Sequence, residues 1–274
     1  MATYDDGYSK GPSGAFGLTP VVKALLIANT LIALPFLFLV DAVPALRTVF
    51  DVLALDVPTW REWAPFFPVW QLVTFGFLHD PDSPMHLLFN LMGLYFFGTM
   101  VESLVGKRRF LWLYALGIII PGVLQLALSI AIGSNALVVG ASGAILMLLL
   151  IVATLFPHRT IILMFIPMPM WLAAVIFVGL DLFGLVRGGG GTAYLVHLGG
   201  AALGFVLAKS GAIWFDPFEA WAARKATKQV EDQLNDEQRL DELLARIHRE
   251  GIGSLSGRER DFLKRMSARR GERL

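Results

Sequence analysis

Residues 137–157 read LVVGASGAILMLLLIVATLFP. The unbroken apolar run follows Gly140-Ala141-Ser142-Gly143 and stops at Pro157. From Ser142 to Pro157 is 16 residues, about 24 Å of helix against roughly 30 Å of bilayer hydrocarbon. A helix that short crosses only if the preceding Leu137-Val138-Val139 dips into the membrane as irregular backbone. Such backbone is tolerated only where protein buries it or where it lines a wet cavity. The stretch therefore predicts Ser142 at a helix N-terminus, on the floor of an outward-facing cavity.

Composition agrees with a membrane chain. The sequence has 274 residues, 55% hydrophobic, and only 45 charged residues. Residues 1–214 hold 20 of those charges and the last 60 residues hold 25. A soluble domain is about a quarter charged, so most of this chain is not built for water. A net charge of +1 gives no electrostatic case for nucleic-acid binding. The absence of cysteine excludes disulfides, thiolate metal sites and Cys nucleophiles.

Six apolar runs approach spanning length: about 21–40, 85–104, 110–132, 140–157, 160–181 and 193–214. The chain is thus expected to be an all-α membrane protein in three parts. Residues 1–20 form a polar cytosolic N-terminus, 21–214 the six-span membrane domain, and 215–274 a cytosolic amphipathic helical tail. The N-terminus lacks the basic start and small-residue site of a cleaved signal, so the first span is expected to stay in the mature protein. Lys10, Lys23, Lys107, Arg108, Arg109 and Arg159 gather on the short segments of one side. The positive-inside rule puts both termini in the cytoplasm and residues 41–84 in a long outer loop. That loop carries Trp60, Trp63, Phe66, Phe67 and Trp70, an aromatic belt lying partly in the outer leaflet.

In the tail, Asp216-Pro217 reads as a helix start. Leu234, Leu240, Leu243, Leu244 and Ile247 make one apolar stripe. Gly251 and Gly253 break it, and Ser256 with Glu259 forms a capping box ahead of Phe262, Leu263 and Met266. The expected result is a helical hairpin, its partner unknown.

Polar residues inside the spans are costly and mark function. The second, fourth and sixth spans run the same way, so His86, Ser142 and His197 share one depth, with Asn90 one turn below His86 on the same face. A serine hydroxyl needs a base, and histidine has the right pKa. A tetrahedral oxyanion needs fixed donors; the Ser142 amide, Asn90 and the His86 ring are candidates. Gly140 and the other small residues around Ser142 let a peptide backbone approach. Gly199, Gly200 and Gly204 let the fourth and sixth spans pack closely. Glu102 reads as an anchor for the adjoining inner loop. Asp181 could orient His197, but the span boundary puts it at an outer helix end, where it reads as solvated. The run from His79 to Asp82 lacks a recognised ligand spacing, so no metal or other cofactor is expected.

At these residues the chain resembles the rhomboid family of intramembrane serine proteases. His86-Leu-Leu-Phe-Asn90 resembles the family's His-x-x-x-Asn, and Gly140-Ala141-Ser142-Gly143 its Gly-x-Ser-Gly. His197-Leu-Gly-Gly200-Ala-Ala-Leu-Gly204 resembles its His-x-x-Gly-x-x-x-Gly. Gln71 stands where the family usually has Arg after a Trp, and Leu146 where many members carry an aromatic. The resemblance implies a six-helix bundle in a bacterial cytoplasmic membrane and a Ser142–His197 dyad without metal. His86, Asn90 and the Ser142 amide would make the oxyanion hole, and the substrates would be transmembrane proteins met in the lipid bilayer. Residues 247–266 resemble a short helical module that follows some bacterial rhomboids. The rival reading is an inactive rhomboid-like protein that binds membrane segments without cutting them. Intact Ser142 and His197 argue against it. A channel or transporter would need charges near mid-membrane on several spans or paired half-helices, and the sequence has neither.

Overall fold

The computed structural model describes residues 17–163, 166–187 and 192–271. Most of the polar segment assigned to 1–20 thus lies outside the described residues. Contacts divide the chain into two units, Met1–Phe215 and Asp216–Leu274.

In the first unit, α1 (Pro20–Leu39) opens on a proline whose missing N–H costs nothing at a helix start. Its next two amides, Val21 and Val22, donate to the two carboxylate oxygens of Glu102 at 3.0 and 2.8 Å. Glu102 is therefore a long-range cap on α1, not an anchor for the loop beside it. It is buried, and the two charge-assisted bonds offset the cost of burying it.

Residues 40–83 fold back on the domain. They form α2 (Pro44–Leu53), α3 (Val57–Glu62) and the single turn α4 (Gln71–Thr74). Phe50 of α2 meets Phe36 of α1 edge to face, ring centroids 5.4 Å apart. A short strand, β1 (Leu55–Asp56), pairs antiparallel with β2 (Leu137–Val138), Leu55 opposite Val138. Gln71 is fully buried where it ties the loop together. Its carbonyl accepts from the Trp60 indole and the Asp56 amide, and its amide donates to the Val52 carbonyl. Arg61 donates to Asn135 and to the carbonyls of Ser129 and Ser134. The Gln71 amide and the adjacent pair Trp60-Arg61 together hold the loop, so a Trp-Arg pair is present at 60–61 and the departure at Gln71 leaves the loop anchored.

Two long apolar helices follow: α5 (Pro84–Val105), with a π turn over Leu94–Gly98, and α6 (Lys107–Ala131). With α1, these are the three described helices long and apolar enough to cross a membrane. The remaining apolar helices are α7 (Ser142–Leu155), α8 (Met170–Val186) and α9 (Thr192–Ser210), the last with its apolar stretch over Tyr194–Ser210. α7 is the core of the unit, with α5, α6, α8 and α9 all packed on it.

The fifth apolar run departs from its expected span. Instead of a helix over 160–181, the chain makes a hairpin of β3 (Thr160–Leu163) and β4 (Ile166–Pro169), and α8 starts at Met170. Thr160, Ile161 and Ile162 are β-branched and fit an extended strand. Pro167 and Pro169 push the residues before them out of helical geometry. A hydropathy window cannot separate an extended apolar run from a helical one. With two small antiparallel pairs, the chain is mostly helical but not all-α.

The second unit is a helical hairpin of α10 (Pro217–Glu250) and α11 (Gly257–Gly271). The Asp216 carboxylate accepts from the Phe218 and Glu219 amides as an N-cap. Leu240, Leu243, Leu255 and Phe262 form the hairpin's core, with Ile247, Leu263 and Met266 against it. Leu234 and Leu244 are exposed, so only part of the predicted stripe is covered. Ser256 and Glu259 exchange bonds as a capping box: the Glu259 carboxylate accepts from the Ser256 amide and hydroxyl at 2.8 Å each.

Candidate active site

Ser142 is the first residue of α7. The helix ladder opens with Ile145 donating to the Ala141 carbonyl. The amides of 142–144 precede that ladder, so unused donors and the positive end of the helix dipole surround the Ser142 hydroxyl. Gly140 holds φ +117°, a conformation a side chain would strain. Its amide donates to the Phe75 carbonyl at 2.9 Å. A Cβ at Gly140 would also lie 2.7 Å from Nε2 of His86. The glycine therefore permits both the turn into α7 and the approach of the His86 ring.

α9 lies directly against α7. A Cβ at Gly200 would overlap the Gly143 carbonyl, and one at Gly204 the Met147 carbonyl. These two glycines bring the helix backbones together, and one turn before Gly200 the approach delivers His197. Nε2 of His197 is 2.7 Å from Oγ of Ser142. Nδ1 of the same ring is 2.9 Å from Oδ1 of Asp181 on α8. Asp181 is only 9% exposed, which corrects its reading as solvated. The cause is the shifted fifth helix: α8 runs on to Val186, so Asp181 lies more than a turn inside it.

His86 sits in the first turn of α5, its Nδ1 accepting from the Asp80 amide at 3.4 Å. An accepting Nδ1 leaves the proton on Nε2, the atom facing Gly140. Asn90 is buried and donates to the His86 carbonyl at 2.8 Å, and its side-chain oxygen has no partner among the described residues. His79 is buried, its ring 5.3 Å from that of His86. Burial, and secondarily the neighbouring His86, push its pKa down to about 4.

Ser142, His86, Asn90, Asp181 and His197 line one cavity of about 270 Å³. Its other walls are apolar, including Phe89, Phe96, Leu146, Phe177 and Leu180. Sequence reasoning brought together His86, Asn90, Ser142 and His197; it named Asp181 as able to orient His197 but set it aside as solvated. The signal was present: Asp181 is the one charged residue in the otherwise apolar helix MWLAAVIFVGLDLFGLV. Chemically, the site offers a hydroxyl beside an imidazole nitrogen, donors from a helix N-terminus, and an apolar recess for a side chain.

A serine at the head of a short central helix, met by a histidine from the last apolar helix, is the arrangement the rhomboid resemblance implies. The Rhomboid domain matches residues 67–212, which is 146 of the 274 residues, and the chain belongs to the rhomboid family. A second match, to a Family of unknown function (DUF6576), covers residues 227–269. Among curated proteins, the chain is 33% identical over 147 residues to RHOMBOID-like protein 12, mitochondrial, of Arabidopsis thaliana, covering 48% of this chain and 43% of that protein. It is 32% identical over 125 residues to Presenilin-associated rhomboid-like protein A, mitochondrial, of Danio rerio (44% and 33%). It is 33% identical over 125 residues to Rhomboid protein 1, mitochondrial, of Saccharomyces cerevisiae (43% and 36%). The chain thus matches between a third and somewhat under half of the length of these relatives.

Proposed function

We propose that this chain is an intramembrane serine endopeptidase that hydrolyses peptide bonds in or near the transmembrane segments of membrane-protein substrates. The observation that carries the reading is the 2.7 Å contact between Ser142 Oγ and His197 Nε2 at the end of a mainly apolar cavity. Ser142 attacks the scissile carbonyl while its proton passes to Nε2. The oxyanion is met by the Ser142 amide, the Nε2–H of His86 and the side-chain amide of Asn90. His197 then gives its proton to the leaving amine, and a water repeats the cycle to release the acyl group. No step requires a metal or cofactor.

The bilayer arrangement belongs to the same proposal. α1, α5, α6, α7, α8 and α9 make the six crossings, and the two short ones reach depth through extended backbone before them. Lys and Arg placement supports cytoplasmic termini. The tail's resemblance to a module of bacterial rhomboids supports a bacterial cytoplasmic membrane, although the three relatives above are named as mitochondrial.

The test is reaction of the purified, detergent-solubilised chain with a fluorophosphonate, together with cleavage of a labelled single-span substrate. Wild-type protein should carry the adduct on Ser142. Ser142→Ala and His197→Ala should each lose cleavage while their melting temperatures stay close to wild type. The double variant should be no worse than either single one, because nucleophile and base act as a unit. Cleavage near wild type in either single variant would remove the assignment.

A further inference from the structure

We infer that Asp181 is a positioning residue for His197, so that this chain works with a Ser142–His197–Asp181 triad assembled from α7, α9 and α8 rather than with a dyad. The inference rests on the Ser–His reading above.

Three observations carry it. Oδ1 of Asp181 lies 2.9 Å from Nδ1 of His197, the ring atom opposite the one that faces Ser142. A carboxylate oxygen can only accept when ionised, so this bond puts the proton on Nδ1 and leaves the Nε2 lone pair for the Ser142 hydroxyl. Second, the carboxylate is nearly buried in a helix with no other charged residue. Burying it costs several kcal/mol unless a partner offsets the loss of water, and His197, at 2.9 Å, is that partner. Third, α8 buries only three other residues, Met170, Ala173 and Ala174, all more than a turn before Asp181. A carboxylate is an expensive way to fasten a helix whose remaining contacts are apolar, whereas it is the group that favours an imidazolium.

The proton accounting closes without Asp181 changing state. As Oγ bonds to the carbonyl carbon, the Ser142 proton moves to Nε2 and the carbonyl π pair moves to the oxygen. The imidazolium formed is opposed by the carboxylate at Nδ1. The proton then leaves from Nε2 to the departing amine nitrogen. The other ring near the dyad, His86 across the cavity, keeps its Nδ1 on the Asp80 amide and offers His197 no such acceptor.

The experiment compares charge with shape on the full chain in detergent. Asp181→Asn preserves volume and can still hydrogen-bond, but it removes the charge and lets an amide N–H face Nδ1. Asp181→Ala removes the bond altogether. The readouts are the rate of fluorophosphonate labelling at Ser142, and kcat and KM on the labelled single-span substrate. Expected for Asp181→Asn is a loss of at least about tenfold in labelling rate and kcat, with KM within about twofold and an unchanged melt. A clamp with no chemical role predicts the reverse order: Asp181→Asn near wild type and Asp181→Ala impaired with a lowered melt. Labelling of Asp181→Asn within twofold of wild type overturns the inference. Should Asp181→Asn fail to fold, the pair Asp181→Glu and Asp181→Gln makes the same comparison. Glu exceeding Gln tenfold supports the triad, and equality overturns it. Failure of the underlying reading is separate: there Ser142→Ala itself still cleaves.

Discussion

The helices that carry Ser142 and Asp181 are neighbours, both short and apolar, yet they are held in opposite ways. α7 buries ten of its 14 residues, from Gly143 to Ala153. α8 buries four of its 17 and leaves Trp171, Val175, Leu180, Leu182 and Phe183 exposed. Neither helix is amphipathic by composition, so apolar content cannot tell them apart. Their neighbours can: α7 has a helix on every side, and α8 has few. The serine is thus placed by close packing of a core, whereas the carboxylate is placed by one hydrogen bond and a narrow buried strip of Met170, Ala173 and Ala174.

That contrast is broken most directly by substitutions of one kind on the two helices. Leu148→Ala on α7 removes a fully buried side chain and should destabilise the protein by about 2–5 kcal/mol. Gly204→Val on α9 should be at least as damaging, because the side chain meets the Met147 carbonyl, a backbone atom that cannot turn away. Leu182→Ala on α8, 48% exposed, should change stability by no more than about 0.5 kcal/mol. Thermal melts of the three variants in one detergent measure this. Equal losses from Leu148→Ala and Leu182→Ala would mean that α8 is as much a part of the core as α7.

The same contrast explains what was legible in the sequence. Ser142, His86 and Asn90 were readable because each lies near the end of a helix whose start is marked locally: Gly140 before α7, and Pro84 before α5; His197 was readable from its spacing to Gly200 and Gly204. Depth then follows from counting residues at 1.5 Å each. The burial of Asp181 was not readable, because its helix starts ten residues later than hydropathy implies, behind a proline-bearing hairpin. An error of that size at one end moved a buried carboxylate into the solvent. The Glu102 contact with α1 was invisible for another reason. It joins residues about 80 positions apart, and no local pattern encodes such a partner. The loop anchor was half legible: Trp60-Arg61 stands in the sequence as a Trp-Arg pair, but the pair was looked for at Trp70-Gln71, and the partners of Arg61 at 129–135 are set only by the fold.

Acid should loosen the loop side of the cavity. His79 lies outside the spanning helices, and its pKa falls from 6.5 to about 4, chiefly through burial. Above pH 6.5 the ring is neutral in both folded and unfolded chains, and the full stability is present. Below it the unfolded chain takes up a proton that the folded chain resists until about pH 4. Stability is therefore lost across that window, up to about 3 kcal/mol from this group. His79→Gln should flatten this part of the pH profile. The check is the difference in melting temperature between pH 7 and pH 5 for wild type and variant. Parallel profiles would show that the His79 ring takes up its proton alike in folded and unfolded chains, and so is not buried in solution. A steep fall confined to the wild type would sharpen the contrast between the buried segment behind His86 and α8, which carries no such ring.

The smallest effect is expected in the tail, where the capping box tests hydrogen bonding with almost no burial behind it. The Ser256 amide and hydroxyl, with Arg246 adding to them, hold the Glu259 carboxyl below the ordinary 4.5. A carboxylate favoured in the folded state contributes its stability above that ordinary value and loses it as pH falls through the lower, folded one. Amide hydrogen exchange over residues 256–266, corrected for the intrinsic effect of pH, should therefore show protection falling as pH drops below about 4.5. Glu259→Gln should already show the weaker protection at neutral pH and change little on acidification. The effect stays small because the pair faces water, where solvent screens the charges and competes for each bond. An acid-induced loss in the tail as large as that produced by His79 would mean that α11 is held through this one residue, and that Leu255 and Phe262 contribute less packing than their burial implies.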